Sequence, residues 1–324
     1  MTRIALLDDY QRVASAMADW SQVRARAEIE AFDRNLAQDE AVRVLAPFDI
    51  VCHVRERMAF PGTLIAALPN LKFIAVTGPA HRTLDLAAAT ARGIVVSNTM
   101  GRSDGAHATP ELALALMLAA TRRIAFEDRR MRQGLWQGSV GVVLHGRTLG
   151  IVGLGRVGGQ VAALARAFGM KVIAWSENLT DERAAAAGAT RVAKDDLFRA
   201  ADIVSVHLVL SERTRGTVGL REIALMKPAA YLINTARGPI VAEDALIDAL
   251  RRRAIAGAAL DVYDREPLPR DHPLRALDNV VLTPHLGYVS EEGYRAYYAE
   301  TVENILAFLD GKPIRVLNPE ALRR

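Results

Sequence analysis

The sequence predicts an α/β protein built of two doubly wound parallel-sheet domains, on three observations. Apolar runs of strand length alternate with longer segments of helical period along the chain. The strand runs fall into two series, one ending near residue 97 and one starting near residue 148. A glycine-rich turn directly follows the first strand of the second series and opens a helical stretch. At 324 residues the chain exceeds what one core usually serves, which agrees with two domains.

In the first series, residues 2–7, 49–54, 71–77 and 94–97 read as strands, with helical stretches such as 12–26 and 83–92 between them. The second series comprises 148–153, 171–175, 203–207, 230–234, 257–262 and 280–283, six strands that complete a doubly wound sheet. Between the two series, residues 109–131 read as one helix, with Pro110 suited to its first turn and Glu111 to its N-terminal dipole. It is long enough to bridge two domains. Residues 291–309 are again helical in period and end at Asp310-Gly311-Lys312-Pro313, a glycine-then-proline stop. That helix is expected to cross back to the first domain. The expected division is therefore 1–100 plus 291–324 for one discontinuous domain and 101–290 for the other.

A composition of 51% hydrophobic and 24% charged residues can fill two cores and excludes a disordered or collagen-like chain. The net charge of +4 does not mark a nucleic-acid binder, because acidic neighbours such as Glu127-Asp128 and Glu243-Asp244 stand beside the arginine runs. No apolar run reaches membrane-spanning length, and the N-terminus has only a short apolar stretch before Asp8-Asp9, so a cytoplasmic protein without a membrane partner is expected. The lone Cys52 forms no internal disulfide, and the few histidines lack paired ligand spacing, so no metal is expected. No internal repeat or low-complexity tract is present.

The glycine motif is Gly153-Leu154-Gly155-Arg156-Val157-Gly158, between the strand 148–153 and the helical stretch 159–168. Gly153 would permit the tight turn, Gly155 the approach of a pyrophosphate, and Gly158 close packing of helix on strand. The phosphates would rest on free N–H groups at the helix N-terminus, beside Arg156 and Val157. Where an acidic residue about 20 positions beyond the glycines would bind the adenosine ribose, the chain reads Ser176-Glu177-Asn178. Glu177 can reach the ribose hydroxyls, Ser176 is small enough to tolerate a 2′-phosphate, and no arginine falls between Trp175 and Asp181. NAD is therefore favoured over NADP, with NADP left open.

Further phrases carry a resemblance. Leu86-Ala87-Ala88 precedes Arg92-Gly93-Ile94-Val95-Val96-Ser97-Asn98; after the glycine motif come Met226-Lys227-Pro228, Asn234-Thr235-Ala236-Arg237-Gly238, Gly257-Ala258-Ala259-Leu260-Asp261-Val262 and Thr283-Pro284-His285. In this order they resemble the D-isomer-specific 2-hydroxyacid dehydrogenase family over about residues 74–285. The resemblance implies a Rossmann-type nucleotide domain and a flavodoxin-like substrate domain, whose cleft closes on substrate. It also implies hydride transfer between NAD(H) and a small D-2-hydroxy or 2-keto acid of the glyoxylate, hydroxypyruvate or phosphoglycerate class.

By the same resemblance, Arg237 binds the substrate's carboxylate and keto oxygen, which suits a guanidinium fork. His285 is the acid-base, and Glu266 is the carboxylate that stabilises its protonated form. Asp261 matches the residue that holds the nicotinamide carboxamide, Thr235 and Ala236 line the ring, and His207 and Thr214 lie toward the adenosine. A purely solvated role stays open for Arg156 and Thr214. In the family, backbone N–H groups of the loop starting at Thr77 and Gly78 bind substrate carboxylate. Here that loop departs from the pattern, reading Thr77-Gly78-Pro79-Ala80-His81-Arg82, so Pro79 removes a donor while His81 and Arg82 add positive charge. Arg55 faces either the cleft or a surface turn. The family is typically homodimeric. Two other classes stay open: an NAD(H)-sensing binding protein of the corepressor type, and a phosphite- or formate-type dehydrogenase, of which the formate branch is disfavoured because its members carry Gln in place of Glu266.

Overall fold

The computed structural model describes residues 1–79, 81–100 and 103–323. Ala80 of the expected substrate loop, Gly101 and Arg102 at the expected domain boundary, and the terminal Arg324 lie outside the described residues. Contacts divide the chain into two units, Met1–Ala106 with Ser290–Arg324, and His107–Val289.

The discontinuous unit is built on β1 (Thr2–Leu6), β2 (Ala27–Ala31), β3 (Ile50–His53), β4 (Phe73–Val76) and β5 (Val95–Asn98), all parallel, in the order β2-β1-β3-β4-β5. That 2-1-3-4-5 order is the flavodoxin-like winding. Ala5, Val51, Ile74 and Val96 enter a cluster with Leu45, Phe48, Leu64 and Leu68 on one face. The alternate residues Ile4, Ile50 and Phe73 are buried on the other face, where Phe308 of the helix Glu291–Leu309 stacks on Phe73 at 4.5 Å. Both faces are therefore covered, as the near-continuous apolar runs of parallel strands require. Ser290 caps that helix by accepting from Gly293 N–H, and Gly311 at φ +70° ends it. The tail then turns back on β5, where Leu317 N–H donates to Val96 O and the Asn318 side chain bridges Val96 N–H and Ile94 O.

Two elements of this unit differ from the sequence-based expectation. The stretch 12–26 is not one helix but two short ones, Ala14–Met17 and Ser21–Arg24. The break comes where Ala18 turns extended at φ −151° and Asp19 Oδ1 accepts Ser21 N–H. Strand β2 follows it, where the sequence pattern predicts no strand. Its sequence Ala-Glu-Ile-Glu-Ala places Glu28 and Glu30 in solvent at the sheet edge, within 3.8 and 3.4 Å of Arg3, so it lacks an apolar run. Charges of this kind protect an open edge from further pairing.

The continuous unit holds β6 (Thr148–Val152), β7 (Lys171–Trp175), β8 (Thr190–Arg191), β9 (Ile203–Val206), β10 (Tyr231–Asn234), β11 (Gly257–Leu260) and β12 (Val280–Leu282). The order is β12-β11-β10-β9-β6-β7-β8, all parallel. From β8 to β11 it is the Rossmann order, and the winding reverses between β6 and β9, where ligands of such sheets bind. Val152, Val204, Val206 and Leu232 point to a cluster with Phe198 and Leu246, while Ile151, Ile203, Ile233 and Ala259 point to one with Met117 and Val161. The sheet has seven strands among the described residues rather than the expected six. The added β8 is a two-residue, fully exposed edge strand with no apolar signal. The stretch 109–131 is likewise two helices, Ala108–Thr121 and Ile124–Arg132, because Arg123 takes φ +52° between them. Among the described residues no helix is long and apolar enough to cross a membrane.

Candidate active site

Strands β10, β11 and β12 lie side by side, with Asn234 level with Leu260 and Leu260 level with Leu282. The chain leaves their carboxyl ends carrying Arg237, Glu266 and His285, so the sheet register delivers all three to one edge. Glu266 Oε2 and His285 Nδ1 are 2.6 Å apart. Glu266 Oε1 accepts Tyr263 N–H at 2.9 Å, which fixes the carboxylate. The histidine side chain is 24% exposed, and its Nε2 has no hydrogen bond among the described residues. The Arg237 loop is pressed onto the Glu266 loop, since a Cβ on Gly238 would come within 2.0 Å of the Tyr263 carbonyl carbon. Asn234 braces that loop by accepting Ala236 N–H and donating to Arg237 O, while Arg237 Nη1 donates to Ala236 O.

Asp261 is fully buried at the end of β11. Its Oδ1 accepts from Thr283 Oγ1 at 2.6 Å and Leu286 N–H at 2.7 Å, and its Oδ2 accepts Gly287 N–H at 2.8 Å. Burial nevertheless raises its carboxyl above the usual range, since desolvation outweighs those donors. Its visible task is to hold the turn that carries His285. The buried Tyr263 hydroxyl ties Leu260 O to Thr283 O across the same strand ends.

The glycine motif forms a cradle at the carboxyl end of β6. Gly153 stands at φ +103°, and a Cβ there would meet the backbone of His207 and Leu208 at 2.8 Å. A Cβ on Gly158 would lie 2.3 Å from Gly153 O, so only glycine lets the helix Arg156–Ala167 approach the strand. Gly155, by contrast, faces open space. A cavity of about 790 Å3 opens here, lined by Gly153, Gly155, Ser176, Glu177, His207 and Thr214 among others. Ser176 Oγ accepts Leu154 N–H at 2.9 Å, tying the β7 end to the glycine turn. Burial pushes the His207 imidazole down to about 4, and its Nε2 shares a 2.8 Å hydrogen bond with Ser205 Oγ. Thr214 Oγ1 accepts Ser211 N–H and donates to Val209 O, pinning the loop beyond His207. Space, glycines and the exposed helix N-terminus at Gly155 and Arg156 fit a dinucleotide. Val157, Gly158, Thr235, Ala236 and Asp261 are not part of this cavity's lining.

In the discontinuous unit, Thr77 N–H donates to His53 O and Gly78 N–H to Thr99 Oγ1, so both backbone donors expected for substrate are engaged internally. Arg55 N–H donates to Thr77 Oγ1, and the Arg55 guanidinium covers Gly78. Arg82 N–H donates to Glu56. His81 is buried and packs edge-on against His53 at 4.8 Å, which places it in the core of the turn rather than on its surface.

Several residues of these sites escaped the sequence reading. Tyr263 and Thr283 act through hydrogen bonds between strand ends, and Asn234 through bonds to the backbone two and three residues on, for which no spacing rule exists. Arg183 and Arg213 line the same cavity as Ser176 and Glu177, although neither lies next to them in the chain.

The family pattern described as D-isomer specific 2-hydroxyacid dehydrogenase, NAD binding domain, matches residues 114–287. A glyoxylate reductase of Aeropyrum pernix is 40% identical over 270 residues, 80% of each chain. A D-3-phosphoglycerate dehydrogenase of Archaeoglobus fulgidus is 37% identical over 282 residues, 86% of this chain and 53% of that one, so this chain spans about half its length. A phosphoglycerate oxidoreductase structure from Vibrio cholerae has a TM-score of 0.90 at 34% identity, covering 96% of this chain and 100% of that chain. An oxidoreductase structure from Ralstonia solanacearum reaches 0.93 at 36% identity, covering 99% and 98%. The chain belongs to the D-isomer-specific 2-hydroxyacid dehydrogenase family, with NAD(H) as its cofactor.

Proposed function

We propose that Arg237, Glu266 and His285 are the catalytic set of a dehydrogenase that interconverts a small D-2-hydroxy acid and its 2-keto acid, of the glyoxylate, hydroxypyruvate or phosphoglycerate class. The observation that carries this reading is the 2.6 Å contact between Glu266 Oε2 and His285 Nδ1. A carboxylate on Nδ1 selects the tautomer in which Nδ1 bears hydrogen and Nε2 faces outward. In the oxidative direction Nε2 of that neutral ring accepts the hydroxyl proton, and in the reductive direction the doubly protonated imidazolium donates its Nε2 proton to the substrate oxygen. Arg237 holds the substrate carboxylate with its planar fork. When bound, the nicotinamide cofactor supplies or accepts the hydride. Gly153, Gly155, Arg156, Val157 and Gly158 support the pyrophosphate, Ser176, Glu177, His207 and Thr214 the adenosine side, and Thr235 and Ala236 the nicotinamide side.

The reading is tested by NADH oxidation with glyoxylate, hydroxypyruvate, pyruvate and 3-phosphohydroxypyruvate, beside NAD reduction with phosphite. Turnover of at least one keto acid is expected. Tight NADH binding without turnover of any would favour a sensor. The homologous names glyoxylate reductase and D-3-phosphoglycerate dehydrogenase support the first and last of these acids.

A cytoplasmic homodimer is the state we propose for it. Trp136, Val140 and Val143 are 71, 94 and 61% exposed, with Ile124 and Met131 also exposed nearby in the chain. Apolar exposure so concentrated supports burial against a second copy. Light scattering should give twice the mass of 35.2 kDa, and Trp136→Glu with Val140→Glu should shift it toward the monomer.

A further inference from the structure

We infer that the discontinuous unit holds a small-molecule site at the carboxyl ends of β1 and β2. Its ligand is a small monocarboxylate with an apolar or aromatic body, held at Arg24. A cavity of about 360 Å3 opens there, lined by residues from both strands and from the short helices Ala14–Met17 and Ser21–Arg24. That volume lies at the small end of ligand pockets, roughly 300–1,000 Å3. None of its lining belongs to the set Arg237, Glu266 and His285 or to the cofactor cavity. Small side chains leave the space, since Ala31 ends β2 level with Leu6 and Ala14 opens the first helix. Leu6, Ala14 and Trp20 are 5, 1 and 3% exposed, so the inner wall is apolar and carries one aromatic ring. That ring is fixed, because the indole N–H donates to Ala14 O at 2.8 Å and Tyr298 meets it edge-on at 6.2 Å.

Four charged side chains share the lining, Asp9, Arg12, Arg24 and Asp33, and three of them are compensated within the protein. Arg12 Nε donates to Asp33 Oδ2 at 2.7 Å, which pairs those two. The buried Asp9 accepts Val13 N–H at Oδ1 and Ala14 N–H at Oδ2, at 3.0 and 3.2 Å, so backbone donors answer its charge. The exposed Arg24 guanidinium makes no hydrogen bond or ion pair among the described residues. One uncompensated cation beside an apolar wall sets the class of ligand. It carries a single negative charge on a planar group that a guanidinium fork matches, joined to a body that the indole covers. A dianion exceeds the charge on offer, and a neutral hydrocarbon leaves Arg24 unused.

The probe is phenylacetate, which has no 2-hydroxy or 2-keto group, titrated into the full chain labelled with 5-fluorotryptophan. Trp20, Trp136 and Trp175 are the only tryptophans, and the variants Trp136→Phe and Trp175→Phe assign the Trp20 fluorine signal by elimination. A saturable shift of the Trp20 signal is expected, while Trp175, which lines the cofactor cavity, stays unmoved. Arg24→Gln should keep the native Trp20 signal and NADH affinity but weaken phenylacetate by about tenfold, and Arg24→Lys should weaken it less. Phenylacetamide, the neutral isostere, should bind the native chain about tenfold more weakly than phenylacetate and lose nothing further in Arg24→Gln. No shift at Trp20 up to about 10 mM phenylacetate overturns the inference. Equal binding of phenylacetate by the native and Arg24→Gln chains overturns it too, as does equal binding of phenylacetate and phenylacetamide. Tighter binding of phenylalanine than of phenylacetate would give the cavity to a zwitterion and overturn the monocarboxylate.

Discussion

Asp261 grips the turn of His285 through both its backbone and its side chain. The Asp261 carbonyl accepts His285 N–H at 2.8 Å, and its carboxylate accepts the next two N–H groups, of Leu286 and Gly287. His285 sits at φ +54°, in the left-handed region that a histidine enters only at a cost of about 1 kcal/mol or more. Three hydrogen bonds from one buried residue offset that cost and aim the imidazole ring at Glu266. The proposed general acid is thus placed by a carboxylate whose hydrogen bonds all go to the backbone and hydroxyl around it.

Asp261→Asn tests this directly. An amide keeps one acceptor but turns an NH2 toward an N–H or hydroxyl donor, leaving a buried polar group unsatisfied at about 1–3 kcal/mol. We expect a lower melting temperature and a fall in kcat of about tenfold or more, with NADH affinity changed far less. A parallel loss of NADH affinity would instead assign Asp261 to the nicotinamide carboxamide.

His285→Ala should lower kcat by at least about a hundredfold while leaving NADH binding nearly intact. Glu266→Gln keeps a hydrogen-bond partner for Nδ1 but removes its charge. It should retain part of the activity, because the ring keeps its orientation while the charge beside it is lost. Equal NADH losses in both variants would show that the pair serves the cofactor and not the proton.

The three glycines of the motif should separate by substitution. Ala at Gly158 would place a methyl 2.3 Å from Gly153 O, so the helix must move and stability should drop by about 1–3 kcal/mol. Ala at Gly155 meets no protein atom within 4 Å, and its φ of −90° suits any residue. Gly155→Ala should therefore fold with native stability and lose NADH affinity by about tenfold or more, since only a bound pyrophosphate would notice the methyl. Native NADH affinity in Gly155→Ala would move the pyrophosphate away from this turn.

These outcomes track what the sequence could express. The strands of both sheets announced themselves as apolar runs because parallel strands are buried on both faces, and the glycine spacing reported backbone contacts that any side chain would disturb. Strands β2 and β8 stayed hidden because edge strands carry charge or end after two residues. The break at Arg123 is a single dihedral, which no periodicity encodes. At the site, Arg237, Glu266 and His285 were legible as side-chain chemistry in ordered phrases. The support from Asp261 and from the Tyr263 hydroxyl was not, because it consists largely of hydrogen bonds to residues 283–287, 20 or more positions on, that only the sheet register brings level. The two cavity arginines give no signal beside Ser176 in the chain, because a helix carries Arg183 and a loop carries Arg213 to the cavity.

The buried histidine pair predicts how the discontinuous unit responds to acid. His53 and His81 meet edge-on at 4.8 Å, and His53 also packs against Phe60 at 4.7 Å. Neither ring nitrogen of His53 has a partner, nor does Nε2 of His81, so protonation would bury an unsolvated charge. Burial holds His53 well below its ordinary 6.5 and pushes His81 down to about 4, with Arg55 adding to the effect on His81 and Glu56 opposing it. A histidine depressed in the folded state binds protons more readily when unfolded. Its contribution to stability is therefore complete above about pH 6.5 and is lost as the pH falls from there toward 4. For His81 alone that loss amounts to about 3 kcal/mol across the window. Amide hydrogen exchange in β3 and β4 should accelerate between pH 7 and pH 5 beyond the intrinsic rate change, and urea midpoints should fall over the same range. In a variant carrying His53→Leu and His81→Leu the extra acid sensitivity should disappear. An unchanged pH slope in that variant would mean that the carboxylates, not the histidine pair, set the acid limit of the unit.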